Sequence, residues 1–344
     1  MANRSEKIIF FLNALIALQA ILLTAFLFYF QPWQFLENKP QQAKVSESLL
    51  KEPSGENQIE IILAGDIMLD RGVKYMVEKE GEGDFRFPFL KIADYLKEAD
   101  ILFGNLEGPV SDKGIDVGSI YSFRMNPKAT EGLAFAGFNV LSLANNHVFD
   151  YTREALKDTF QRLKTANIDY VGAGFNEKEA YSAVIKEIKG TKIAFLAFTN
   201  LGPESWQATE NNSGIAWLDG SGFEKLKNAV WEAQKTADII IVSLHAGQEY
   251  STQLTQFQKE FAKIAVEAGA DLIVGHHPHV IQPNEIYQGK HIFYSLGNFV
   301  FDQGFSEETM RGQIVKVLIE NKRIEKAEPI DIRINNYFQP EIKE

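Results

Sequence analysis

The segment Asp238-Ile239-Ile240-Ile241-Val242-Ser243-Leu244-His245, a helical pattern over 254–268, and then Asp271-Leu272-Ile273-Val274-Gly275-His276-His277-Pro278-His279 decide the fold class. Both apolar runs are short and uninterrupted and end on polar residues, as strands covered on both faces do. The segment between them places its apolar residues at helical spacing. A strand, a helix and a second strand in this order form a crossover unit with parallel strands. Outward from this unit, strands are expected at 59–63, 101–103, 140–143 and 192–198, with helices at 89–97, 128–135, 152–166 and 223–235 between them. Beyond His279 the helices thin out, and strands are expected at 291–294, 313–319 and 330–334. An α/β layered fold follows, better fitted by mixed sheets or a two-sheet sandwich than by one doubly wound sheet.

The composition agrees. Of 344 residues, 45% are hydrophobic and 24% charged, which excludes a disordered chain, a coiled coil and a polytopic membrane protein. The absence of cysteine removes disulfide scaffolds, cysteine proteases, thiolate metal sites and a lipid-modified N-terminal cysteine. With 46 acidic and 35 basic residues the net charge is −11, so nucleic acid is not an expected partner.

One segment departs from this globular pattern. Residues 8–30 are apolar except for Asn13, Gln19 and Thr24. As a helix they would extend roughly 34 Å, enough to cross a hydrocarbon core. Arg4 and Lys7 precede the run, which predicts a cytoplasmic 1–7, a single-pass anchor at 8–30 in the cell membrane, a flexible tether at 31–57 and an extracytoplasmic domain at 58–344. A cleaved signal peptide is the competing reading, although Phe26–Phe30 offers no small-residue cleavage site.

The polar residues collect at strand ends. Asp66 follows the first strand, Asn105 and Glu107 the second, and Asn146 and His147 the third. His245 ends the fifth, and His277 and His279 follow the next. Strand ends of an α/β sheet converge on one rim, where ligands bind. Read singly, Asp66 is a turn residue and Asn145-Asn146-His147 a helix cap. Together they offer carboxylate, amide and imidazole donors that suit Mn, Fe or Zn, with enough ligands for two divalent ions.

These stretches resemble the CapA family of capsule and poly-γ-glutamate biosynthesis proteins, similar in fold to calcineurin-like metallophosphoesterases. The resemblance is carried by Gly65-Asp66-Ile67-Met68-Leu69-Asp70-Arg71, Gly104-Asn105-Leu106-Glu107 and Ser142-Leu143-Ala144-Asn145-Asn146-His147 with Asp150. It continues through His245-Ala246-Gly247-Gln248-Glu249-Tyr250, Gly275-His276-His277-Pro278-His279 and Tyr294-Ser295-Leu296-Gly297-Asn298-Phe299. It implies a four-layer α/β/β/α sandwich of the metallo-dependent phosphatase type. It also implies a dinuclear-type site with metal ligands Asp66, Glu107, Asn146, His245, His277 and His279. His276 is then a donor behind the ligands or a neighbouring surface residue.

Met68 and Asn105 stand where ordinary phosphoesterases carry His and Asp, and both changes follow the CapA pattern. Ala246 stands where the family commonly has Trp, which is expected to remove an aromatic wall from the pocket. If the site is catalytic, His147, Asn146 and Asp66 are the catalytic candidates, with His147 as general acid. Arg71, Arg124, Glu249 and Tyr250 are candidate substrate contacts, and Asn298 is expected to fix the late loop. The implied partners are the membrane, an anionic extracellular polymer or a phosphorylated envelope substrate, and subunits of a membrane synthase or export complex. A non-enzymatic, metal-dependent scaffold or polymer-binding subunit is the alternative.

Overall fold

Strand β1 (Ile59–Ile67) is buried along its whole length, and its two faces enter different cores. Ile59, Ile61 and Leu63 point to one side and Ile62 and Ala64 to the other. The computed structural model describes residues 58–219 and 223–343. The anchor and tether expected at 8–30 and 31–57 lie outside the described residues. Among the described residues no helix is long and apolar enough to cross a membrane.

In chain order the further strands are β2 (Ile101–Leu106), β3 (Val140–Ser142), β4 (Asp169–Val171), β5 (Ala173–Gly174), β6 (Val184–Ile188), β7 (Thr191–Thr199), β8 (Gly214–Ile215), β9 (Ile239–His245) and β10 (Leu272–His276). They continue with β11 (Asn284–Tyr287), β12 (Lys290–Phe293), β13 (Asn298–Val300), β14 (Arg311–Glu320), β15 (Arg323–Ile334) and β16 (Pro340–Ile342). One sheet runs β16-β15-β14-β1-β2-β3-β4, with β13 also paired to β1, and a second runs β11-β12-β10-β9-β7-β6. Both are mixed. β1 to β4 are parallel and β14 to β16 antiparallel in the first; β7, β9, β10 and β12 are parallel in the second.

The sheets face each other across one apolar layer. Leu63 and Phe103 of the first meet Phe195, Ile241 and Val274 of the second, and the Phe103 and Phe195 rings stack at 5.5 Å. The outer face of the first sheet is covered by Phe89, Leu133, Phe160 and Leu163 from the helical segments Phe87–Phe89, Ala129–Ala136 and Thr152–Thr165. The outer face of the second packs on Leu226, Val230, Phe261 and Ala265 from the helices Glu224–Gln234 and Gln256–Ala268. The layer order is therefore helix, sheet, sheet, helix. The Gln256–Ala268 helix starts where its own chemistry sets it. Thr255 and Gln258 form a reciprocal capping box, so helix begins two residues later than the apolar spacing suggests.

β1 is longer than its apolar run. Pairing with β14 ends at Leu63, but the late strand β13 takes over, setting Asp66 opposite Asn298 and Ile67 opposite Val300. This pairing requires glycine at 65, because a Cβ there would overlap the Gly297 carbonyl oxygen. Gly275, just before the histidine run, sits in the same way against the Tyr294 carbonyl oxygen. Gly275→Ala is therefore expected to force β10 and β12 apart and to destabilise the domain by about 1–3 kcal/mol. A denaturant titration reads this as a lower midpoint, and an unchanged midpoint would show that the seam has slack.

Candidate metal centre

The site lies where the ends of both sheets meet. In the first sheet Asp66 is flanked by Asn105 on β2 and Asn298 on β13, and in the second His276 pairs with His245. Asp66, Asn105, Glu107, His245, His276 and Asn298 have no solvent exposure. The backbone then turns sharply. His277 and His279 adopt positive φ of 97° and 57°, as do Tyr250 (61°) and Arg71 (47°). Such conformations cost non-glycine residues energy and persist where the surroundings enforce them. Here the enforcing contacts include the His277 N–H on Asp66 Oδ2 (3.1 Å) and the Tyr250 N–H on the Pro278 carbonyl (2.8 Å).

The expected ligands converge. Asp66, Glu107 and His245 each offer an atom within 4.8 Å of the others, and Glu107, His277 and His279 do the same. Asn146 Oδ1 lies 2.8 Å from His245 Nε2. His279 donates from Nδ1 to Asn298 Oδ1 (3.0 Å), which leaves its Nε2 facing Glu107 Oε1 at 3.6 Å. Asn298 thus orients a histidine, beyond fixing a loop. His147 is arranged alike, with Nδ1 at 2.8 Å from Asp150 Oδ2 and Nε2 at 3.8 Å from Glu107 Oε1, and its ring stacks on Phe123.

The electrostatics explain why these groups tolerate burial. Desolvation alone would raise the Asp66 carboxyl, but the imidazoles of His279, His276 and His245 outweigh it and hold Asp66 well below the usual carboxylate range. Glu107 has no such compensation. Burial, then the charge of Asp66, pushes it well above its usual value. Burial holds His245 neutral and takes His276 down to about 4 and His277 to about 3. Neutral imidazoles with free lone pairs are the form that binds metals. Glu107 Oε1 and His277 Nδ1 have no hydrogen-bond partner although buried, so the donor set fits a cation that would satisfy them.

Beside the cluster opens a cavity of about 170 Å³, lined by His147, His279, Arg71, Glu249, Tyr250 and Phe305 among others. Arg71 pairs with Asp302 and lies over the Phe123 ring at 4.8 Å. Three of the four expected substrate contacts are therefore brought together. Arg124 is not. Its guanidinium lies over Tyr151 (4.2 Å) and reaches the Lys113 carbonyl, although its backbone N–H bonds to Asp70.

His276 takes the first of its two expected places, behind the ligands: it is fully buried on β10, with Nδ1 3.5 Å from Asp66 Oδ1, because the strand continues one residue past Gly275. One further expectation needs correction. Ala246 lies in the core under the helices of the second sheet, not in the cavity wall. Met68 is buried, and its sulfur accepts the Asp70 N–H. Asn105, Asp150 and Asp302 carry more of the site than the sequence assigned them. The stretches that carry the family resemblance contain Asn105 and Asp150 but not Asp302, whose partnership with Arg71 spans a long stretch of chain.

Known proteins match this chain over most of its described length. The model of the bacterial capsule synthesis protein family PGA_cap matches residues 60–303. The chain belongs to that family. It is 37% identical over 260 residues to the capsule biosynthesis protein CapA of Bacillus anthracis, covering 72% of this chain and 61% of that one. It is 36% identical over 279 residues to the PGA biosynthesis protein CapA of Bacillus subtilis, covering 78% of this chain and 70% of that one. The chain thus spans less than two thirds of the first relative's length. Among solved structures, a phosphatase from Mycoplasma pneumoniae aligns with TM-score 0.52 at 18% identity, covering 80% of this chain and 94% of that one. This likeness concerns the fold.

The opposed carboxyls give a signed stability prediction for the chelator-treated protein. A carboxyl raised on folding contributes stability that is present below its unfolded value, near 4.5, and is lost as pH rises through its folded value. Glu107→Gln removes the charge that must form there. In EDTA the variant is expected to melt higher than the parent at pH 8, with the difference vanishing towards pH 4. A variant that melts lower at pH 8 would contradict this reading of Glu107.

Proposed function

We propose that this chain is a membrane-anchored, extracytoplasmic capsule or poly-γ-glutamate biosynthesis protein whose buried cluster is a divalent-metal hydrolase site of the metallo-dependent phosphatase type. The observation that carries the reading is the pair of orphaned atoms, Glu107 Oε1 and His277 Nδ1, buried beside a cavity onto which His147 opens. The candidate ligands for Mn, Fe or Zn are Asp66, Glu107, Asn146, His245, His277 and His279, and among them Glu107, His277 and His279 would hold an ion through atoms that are not engaged elsewhere. A divalent cation supplies Lewis-acid polarisation and acidifies bound water. The apolar run at 8–30 with Arg4 and Lys7 before it supports the anchor and the outward-facing domain. The family supports a role in synthesis or export of an anionic polymer, and Arg71 in the cavity wall offers a cationic group to a phosphorylated or other anionic substrate.

The chain's own side chains divide the remaining work. Asp150 accepts from His147 Nδ1 and fixes its ring, so protonated His147 presents Nε2–H towards the cavity as general acid for a leaving oxygen. Asn146 orients the His245 ring through its side-chain oxygen. The Arg71 guanidinium, held by Asp302, has N–H groups to spare for an anionic substrate, and Tyr250 and Glu249 also line the cavity.

The test is the full chain loaded with Mn²⁺ and assayed on phosphodiesters and phosphomonoesters, beside His147→Ala and His277→Ala. His147→Ala is expected to keep the metal and lose about 10²–10⁴-fold in rate. His277→Ala is expected to lose metal and activity together. Bound metal without turnover on any of these esters would contradict the hydrolase reading and favour a metal-dependent scaffold or polymer-binding subunit of a membrane complex.

A further inference from the structure

The two ligand triads share Glu107 but are not equivalent, and the difference lies in Asn105. Its Nδ2 is 2.8 Å from Asp66 Oδ1, 3.1 Å from His245 Nδ1 and 3.4 Å from Glu107 Oε2. The amide nitrogen therefore touches every member of the Asp66–Glu107–His245 triad. Among the described residues no protein donor bridges Glu107, His277 and His279 in this way. Glu107 Oε1 and His277 Nδ1 are unpartnered there, and His279 Nε2 stands 3.6 Å from Glu107 Oε1.

The orientation of that amide follows from its neighbours. Asn145 Oδ1 must accept the His147 N–H (3.1 Å), and Asn145 Nδ2 must donate to the Leu106 carbonyl (2.9 Å). The same Nδ2 lies 3.2 Å from Asn105 Oδ1, so that atom has to be the oxygen. The NH₂ group of Asn105 is thereby turned into the triad. Reversing it would set an amide oxygen against two carboxylates and an amide nitrogen against another amide nitrogen, all without solvent exposure.

An amide NH₂ presents partial positive charge and two donors, with no lone pair that a cation can use. Met68, at the other changed position, is likewise engaged, since its sulfur accepts the Asp70 N–H. We propose that Asn105 serves as a built-in substitute for one cation, so that this chain holds a single divalent ion, at Glu107, His277 and His279, in place of the pair the resemblance implies. Asn105 is a positioning residue here. It holds Asp66 and His245 in place from within the chain and closes the space between them to metal. This rests on the metal-site reading given above and decides its stoichiometry.

The experiment measures metal, independently of turnover. The full chain, in detergent, is stripped with chelator, reloaded with excess Mn²⁺, freed of loose metal and analysed for bound Mn by elemental analysis and by electron paramagnetic resonance. One equivalent with the six-line spectrum of an isolated Mn²⁺ is expected. Asn105→Asp is expected to raise the content to two equivalents and to give an exchange-coupled spectrum. A Glu107→Gln variant is expected to lose the ion.

Two equivalents with a coupled spectrum in the parent would overturn the single-ion proposal while leaving the metal-site reading intact. No bound Mn in the parent would overturn both. Should Asn105→Asp fail to fold, the parent's stoichiometry and spectrum still decide the matter. An Asn105→Asp protein that folds yet stays at one equivalent would contradict the role given to the amide.

Discussion

A carboxylate without solvent exposure, at the point where two sheets meet, is the constraint around which the rest of the structure is arranged. Asp66 cannot be solvated, so the chain surrounds it with donors: the Asn105 amide on one side and the His277 backbone N–H on the other, with the imidazoles of His245, His276 and His279 nearby. The donors come from the ends of β2, β9 and β10 and from the loop after β10. Seating them together fixes the register of β1 against β2 and β13 and of β9 against β10. The two sheets are thus joined by a polar knot at one end and by an apolar layer, from Phe103 and Phe195 outward, along the rest of their length.

The same arrangement leaves Glu107 uncompensated. It shares the space with Asp66 and has an oxygen that no donor reaches, while three histidines beside it stay neutral. A fold that stabilised itself alone would have no reason to keep a raised carboxyl and unpartnered imidazole nitrogens together. Nor would it gather Arg71, Tyr250 and His279, all at positive φ, around one cavity. The uncompensated carboxyl and the unpartnered nitrogens fall on one place, as expected where local structure is set by a ligand.

Much of this was legible in the sequence, and the misses have physical causes. The apolar strands announced themselves because burial on both faces leaves no room for polar residues, and the metal-ligand candidates were visible because each closes such a run. Partnerships made across the chain were not visible. The extension of β1 through Asp66 depends on β13, and the Arg71–Asp302 pair joins a helix start to a late loop. Arg124, in a promising loop, turns instead to Tyr151. Asn105 read as a departure from a pattern, and only the direction of its amide, set by Asn145, gives the departure a purpose. The short strands β6 and β11 carry little apolar signal, because β6 alternates half-buried with exposed residues and β11 is mostly exposed.

The central claim is that this buried cluster is a cation site. Anomalous diffraction from crystals grown with Mn²⁺, collected on either side of the manganese edge, tests it directly. The account predicts an anomalous peak within roughly 2.2 Å of a Glu107 oxygen and of nitrogens from His277 and His279. Well-ordered density for these side chains with no anomalous peak among them, at saturating Mn²⁺, would contradict it.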